Sequence, residues 1–229
     1  MNMVTVNTLA EVIPALKKTD VNLVLCPGIL PADTDQHVLF TKGSFVSPLV
    51  VDSPVIAGLE LTRHLTAFLG TRVSWLAEDI RALCGLFRGL PEIDGIAVQI
   101  TASNPTNDSN TANVFHVDTR PRCPEHEFIR LTRVYSGPGT EWVQNDNVDR
   151  DALRTSIRYA EDHFVRALPR LEPRHAELST HIVKDPQLVH TIPPGWISMF
   201  KGGVERGLVH RAPQSERHRV VIIITALDK

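Results

Sequence analysis

The chain has 229 residues, 42% of them hydrophobic and 22% charged, and a formal net charge of −2. This is the composition of a globular protein long enough to bury a large core, and it leaves no basic footprint for nucleic acid or an anionic membrane. The longest strongly apolar run, residues 220–227, is too short to span a bilayer.

The first residues lack the basic-then-apolar order of a signal peptide. Three widely spaced cysteines, Cys26, Cys84 and Cys123, form no Cys-x-x-Cys. An odd, scattered set fits a reducing cytoplasm better than a disulfide framework. A single domain over 1–229 is expected, with 1–93 as helical or mixed support and 94–229 as the core.

In chain order, "VNLVLC" (21–26) is a short apolar run bounded by Pro-Gly, a strand or turn-bound segment. "SPVIAGLELTRHLTAFLG" (53–70) opens with Ser-Pro and stops at Gly70, the start and stop signals of a helix. "SWLAEDIRALCGLFRGL" (74–90) has apolar residues at 76, 80, 83, 86 and 87, which is helical spacing behind a Ser74 N-cap. These two helices are expected to cover one side of a sheet.

From residue 94 the character changes. Short β-rich runs at 95–101, 112–118, 128–136, 195–201 and 219–228 are separated by Pro, Gly, Asn and Asp. One helix, 149–168 with Asp149 as N-cap, is inserted among them, and 169–187 reads as a long loop. Helices first and short strands afterwards give the class α+β, with an antiparallel jelly roll as its core.

"FHVD" (115–118) places His116 and Asp118 two apart, on one face of a strand, where they can converge on a metal ion. In a chain with 10 His, a His-x-Asp pair is no surprise, so the motif needs partners. His210, in "GLVHRAP", lies 94 residues beyond His116, and Arg219 opens the most apolar strand nine residues later. An arginine on a buried strand calls for an anionic partner.

His-x-Asp, a distal His and an Arg one short hairpin later resemble the iron(II)/2-oxoglutarate-dependent oxygenases, from about residue 112 onward. The resemblance implies a double-stranded β-helix, cupin-like, with His116, Asp118 and His210 holding Fe(II). It implies Arg219 on the distal carboxylate of 2-oxoglutarate as co-substrate, with O2 as oxidant and a small-molecule substrate. The elements "FHVD", "RLTRVYSGPGTEWV" (130–143), "KGG" and "GLVHRAP" are also similar to a bacterial family known as domain-of-unknown-function family 1826.

Two imidazoles and a carboxylate on one face of an octahedral ion leave three positions open, which suits non-haem iron(II). A structural zinc site would fill four positions, usually with Cys. A carboxylate at 118 leaves no position for a halide, so hydroxylation, desaturation or cyclisation is expected and halogenation is not. A cupin-like metal binder without turnover, and an oxygenase that does not use 2-oxoglutarate, are the rival readings.

Arg217, two residues from Arg219 on the same strand face, is a rival anchor. Arg130 is read either as a carboxylate ligand for substrate or co-substrate or as a structural ion pair. Tyr135 and Trp142 line the pocket or pack the core. "GPGT" (137–140) lacks the Lys-Ser/Thr of a phosphate loop and reads as a tight turn. His126, His163, His175, His181, His190 and His218 have no ligand spacing and read mostly as solvated, and Cys123 reads as a bystander.

Overall fold

The computed structural model describes residues 2–30, 43–49, 63, 74–90, 93–103, 113–120, 123, 125–163, 173–213 and 219–228. The strands are β1 (Asn2–Thr5), β2 (Val21–Cys26), β3 (Gly43–Leu49), β4 (Ile93–Ser103), β5 (His116–Val117), β6 (Ile129–Ser136), β7 (Glu141–Val143), β8 (Val189–Thr191), β9 (Ile197–Lys201), β10 (Val209–Arg211) and β11 (Arg219–Asp228). The helices are α1 (Leu9–Leu16), α2 (Ser74–Leu86), α3 (Arg150–Asp162) and α4 (Pro173–Thr180).

Among the described residues the strands form two sheets. The larger has the order β1-β2-β9-β6-β11-β4-β3 and the smaller β5-β10-β7-β8. The pairing is nested: β4 lies antiparallel to β11, β5 to β10, β6 to β9 and β7 to β8. Strands β4–β7 run outward and β8–β11 return, each beside its counterpart. A long hairpin rolled so that successive pairs fall alternately into two facing sheets gives this order, which is the double-stranded β-helix or jelly roll. Strands β2 and β3 widen the larger sheet at β9 and β4.

Alternation along β11 explains how the layers stack. Val220, Ile222, Ile224 and Ala226 join Val98, Ile100, Leu131 and Met199 in a core covered by Val12 and Leu16 of α1 and Leu76, Ile80 and Leu83 of α2. Each such side chain contributes about 1.5–3 kcal/mol on burial, so this layer fixes the N-terminal helices to the larger sheet. Asp79 of α2 adds a polar clamp, accepting hydrogen bonds from Arg133 and Tyr135 of β6.

The opposite face of the larger sheet meets the smaller one. Leu23, Leu25 and Phe200 pack there against Trp142, Ile192 and Leu208. The outer side of the smaller sheet, Val117, Val143 and Val209, is covered by Leu153 and Ile157 of α3 together with Ile182 and Val183. Helix α3 begins where expected: Asp149 accepts from the N–H groups of Asp151 and Ala152 at 3.0 and 2.9 Å. The α+β jelly roll with N-terminal helices on one sheet agrees with the sequence reading; of those helices, α2 lies within the expected 74–90, and α1 stands where none was expected.

Several boundaries differ. The stretch read as a loop over 169–187 contains α4, whose buried residues are His175 and Ser179. A polar buried face leaves no apolar periodicity to read, and Ser179 meets Ser156 of α3 at 3.3 Å instead. The strand expected over 112–118 is reduced among the described residues to His116–Val117. In the helix expected over 53–70 only Arg63 is described, and residues 164–172 likewise lie outside the described residues. No helix among the described residues is long and apolar enough to cross a membrane.

Candidate metal centre

Strand β10 sits between β5 and β7, and its register puts His210 directly opposite His116 on one side and Trp142 on the other. The imidazole rings of His116 and His210 lie 4.7 Å apart. Asp118 follows β5 immediately. Its Oδ1 is 3.9 Å from His116 Nε2 and its Oδ2 is 3.4 Å from His210 Nε2. One donor atom from each of the three residues lies within 4.8 Å of the others.

Backbone contacts orient these side chains. The Nδ1 of His116 lies 2.8 Å from Val114 O, and that of His210 lies 3.0 Å from Leu208 O. Carbonyl oxygens only accept, so both rings donate from Nδ1, and the atom each turns toward Asp118 is Nε2. Metal-binding histidines are held in this way, the other ring nitrogen donating to a carbonyl that fixes the orientation of the ring. Gly203 N–H donates to Asp118 O at 2.9 Å, pinning the backbone of the carboxylate to the β9–β10 connection.

The carboxylate itself is asymmetric. Arg130 NH1 of β6 lies 2.5 Å from Asp118 Oδ1, and Arg130 Nε donates to Thr225 Oγ1 of β11 at 3.1 Å. Asp118 Oδ2 is buried and has no hydrogen-bond partner. Burial works to raise the Asp118 pKa, but the Arg130 guanidinium, then His210 and His116, outweigh it and hold the carboxylate well below its usual range. A buried, ionised oxygen without a hydrogen-bond partner, grouped with the Nε2 atoms of two imidazoles, is the donor set of a divalent cation. Iron(II) fits it in ligand type and number.

Arg219 begins the strand that carries Thr225, on the same face, toward the smaller sheet. Its Nε donates to Pro138 O at 3.1 Å and its NH2 to Thr140 Oγ1 at 2.7 Å. Burial draws its pKa down from 12.5 to about 10. Thr140 lies two residues before Trp142, the cross-strand partner of His210, so the Arg219 head group and His210 lie on the same side of the smaller sheet.

The turn "GPGT" is shaped to present those two acceptors. Gly137 has φ +82°, a conformation that side chains other than glycine rarely adopt. A Cβ on Gly139 would stand 1.7 Å from Ile192 O. The turn presses against Ile192, whose N–H donates to Thr140 O at 2.9 Å.

His116, Asp118 and His210 are thus brought together. Arg219 lies on the same inner face, held by Pro138 O and Thr140 Oγ1, and the carboxylate that Arg130 meets is Asp118. Arg217 lies outside the described residues. Trp142 packs between the sheets, and Tyr135 turns to Asp79 on the far face of the larger sheet. Phe200, 5.1 Å from the His210 ring, Thr140 and Thr225 escaped the sequence reading. Only cross-strand register, which the sequence does not print, places them there. His175 is buried, contrary to the solvated reading, whereas His126, His163, His181 and His190 are exposed.

The fold and the site together define an α+β protein with a double-stranded β-helix and two histidines and one carboxylate gathered at one place within it. The chain belongs to the family described as "Protein of unknown function (DUF1826)", whose sequence profile matches residues 10–226. No curated protein sequence matches it.

Among solved structures it is similar to the Kdo hydroxylase KdoO, a non-heme Fe(II) alphaketoglutarate dependent dioxygenase. The TM-score is 0.48 and the identity 11%, over 99% of this chain and 89% of that one. A Pseudomonas putida prolyl-4-hydroxylase gives 0.47 and 12%, over 97% and 100%. A prolyl hydroxylase from Trichoplax adhaerens gives 0.44 and 11%, over 96% and 89%. Similarity at this level transfers no residue role.

Proposed function

We propose that the protein is an iron(II)- and 2-oxoglutarate-dependent oxygenase that hydroxylates, or otherwise oxidises, a small polar metabolite or amino-acid derivative. The observation that carries this reading is the Asp118 carboxylate, its Oδ2 without a hydrogen-bond partner, set against the Nε2 atoms of His116 and His210, with the half-buried Arg219 on the facing sheet.

His116 and His210 each supply an Nε2 lone pair, and Asp118 supplies Oδ2. When bound, iron(II) would supply the centre for oxidation by O2 and 2-oxoglutarate: one oxygen atom would end in succinate as CO2 is lost, and the other would enter the substrate in hydroxylation or leave as water in desaturation or cyclisation. Arg219 holds the distal carboxylate of 2-oxoglutarate through a charge-assisted pair. Thr140 and Pro138 O aim its guanidinium. Phe200 and Trp142 keep water from the inner side of His210. Because Asp118 fills the third protein position, a halide has none, and the reaction is hydroxylation, desaturation or cyclisation.

The test is the visible spectrum of anaerobic protein with iron(II), with and without 2-oxoglutarate. A charge-transfer band on adding 2-oxoglutarate supports the reading. One observation favours a second reading, a metal-dependent oxygenase that does not use 2-oxoglutarate: two of the Arg219 donors are already engaged by Pro138 and Thr140. Iron binding without the band supports that reading, or a cupin-like metal binder without turnover.

A further inference from the structure

We propose that Arg130 is a positioning residue that confines Asp118 to one-oxygen ligation, by occupying Oδ1 and leaving only Oδ2 for the metal. This rests on the metal site proposed above and adds a role for a residue outside the triad.

A carboxylate beside a divalent cation can give one oxygen or both. Giving both takes a second coordination position, and the three open positions become two. Nothing in the two histidines prevents this, since each offers a single nitrogen. The restraint has to come from whatever holds the other carboxylate oxygen.

Arg130 is built for that task. Its NH1 lies 2.5 Å from Oδ1, and its side chain and that of Asp118 are 21% and 14% exposed, so water competes poorly for the pair. Its Nε is tied to Thr225 Oγ1. Its guanidinium carbon stands 5.4 Å from the Phe128 ring centroid. The backbone of Asp118 is held separately by Gly203 N–H. With both the main chain and Oδ1 fixed, rotation of the carboxylate about its last bond is blocked. Oδ2 stays 3.4 Å from His210 Nε2 without a hydrogen-bond donor.

The pair has an electrostatic consequence as well. Arg130 balances the charge of Asp118, so the protein donor set is close to neutral as a whole. The cation keeps its full double charge for an anionic chelating ligand. The cost is that a fixed positive group near the cation weakens metal binding.

Removing Arg130 should therefore move two affinities in opposite directions. In Arg130→Met, Mn(II) should bind at least about tenfold more tightly, because a repelling charge is gone and a second oxygen is released. 2-Oxoglutarate should bind the Mn(II)-loaded variant at least about tenfold more weakly, because a position is lost. Isothermal titration reads both. Infrared difference spectra of Mn(II)-loaded minus metal-free protein, with carbon-13 aspartate, read the ligation directly. The wild type should show the wide carboxylate splitting of one-oxygen binding and the variant the narrow splitting of two-oxygen binding.

Arg130→Lys, which keeps a donor for Oδ1, should retain the wide splitting. If Arg130→Met does not fold, Thr225→Val should shift the same readings part of the way, by freeing Arg130 Nε. Unchanged splitting in Arg130→Met, or Mn(II) binding weakened together with 2-oxoglutarate, overturns the inference. Wild-type protein that binds no Mn(II) overturns the metal site itself, and Mn(II) binding without 2-oxoglutarate overturns only the co-substrate.

Discussion

His116 and His210 face each other across the β5–β10 pair, and each donates its Nδ1–H to a backbone carbonyl two residues upstream in its own chain segment. The same hydrogen bond made twice fixes both tautomers. His116→Ala or His210→Ala should abolish iron(II) binding while the fold persists. Each variant frees one carbonyl, a loss of about 1 kcal/mol. Metal titration together with thermal melting checks this: full metal affinity in His210→Ala would remove it from the ligand set.

Arg219→Ala should raise the 2-oxoglutarate requirement about ten- to hundredfold, as expected for losing a charge-assisted contact of about 1.5–3 kcal/mol. The requirement for substrate should change far less. Steady-state kinetics with each reactant varied separates the two. The same effect from Arg217→Ala, with Arg219→Ala normal, would transfer the anchor.

Gly139→Ala should damage the same anchor from a distance. The added methyl meets Ile192 O, so the turn must shift, and with it Pro138 O and Thr140 Oγ1. Weaker 2-oxoglutarate binding with unaltered Mn(II) affinity is the expected pattern. Loss of both in parallel would point to general unfolding, which a melting curve would reveal.

Asp79→Ala should destabilise the fold by about 3 kcal/mol, because it strands the buried guanidinium of Arg133 without its anion. The clamp lies on the helix-covered face of the larger sheet, away from the triad, so metal affinity in the folded fraction should not change. Chemical denaturation and metal titration on the same variant test both statements.

The protein should lose stability as pH rises above about 9. Burial pushes the Cys84 thiol up to about 12, and burial together with Asp79 pushes Tyr135 well above 10. In the unfolded chain these groups lose their protons near 8.5 and 10, whereas the folded protein keeps them. The native state then holds more protons, and stability falls with increasing pH by up to about 1.4 kcal/mol per pH unit per group. Denaturation midpoints between pH 8 and 11 should show the decline. In native protein, Cys123, exposed at the surface, should react with a thiol reagent well before Cys84.

Much of the jelly roll was legible because its central strands are apolar runs punctuated by turn residues. β2 and β11 fell within a residue of where their sequences place them. β5 was not legible as a two-residue strand, since its limits are set by pairing with β10. α4 was hidden because what it buries is His175 and Ser179.

The three triad residues were legible as types at a spacing. The carboxylate that Arg130 meets was not, because Asp118 and Arg130 come together through a loop and two strand registers. Thr225 lies 95 residues from Arg130 and is brought to it only by the β6–β11 alignment.

The place of β11 between β6 and β4 has a consequence during synthesis. Until residues 219–228 have left the ribosome, the larger sheet is two separate pieces, each with an unpaired inner edge. The counterpart of β4 is made more than a hundred residues after β4 itself. Closure of such distant pairs is slow, and open edges invite pairing with other chains. A nascent chain of this design stays adhesive until β11 slides into the gap. A chaperone that masks sheet edges would therefore raise its yield more than one that only shields apolar side chains.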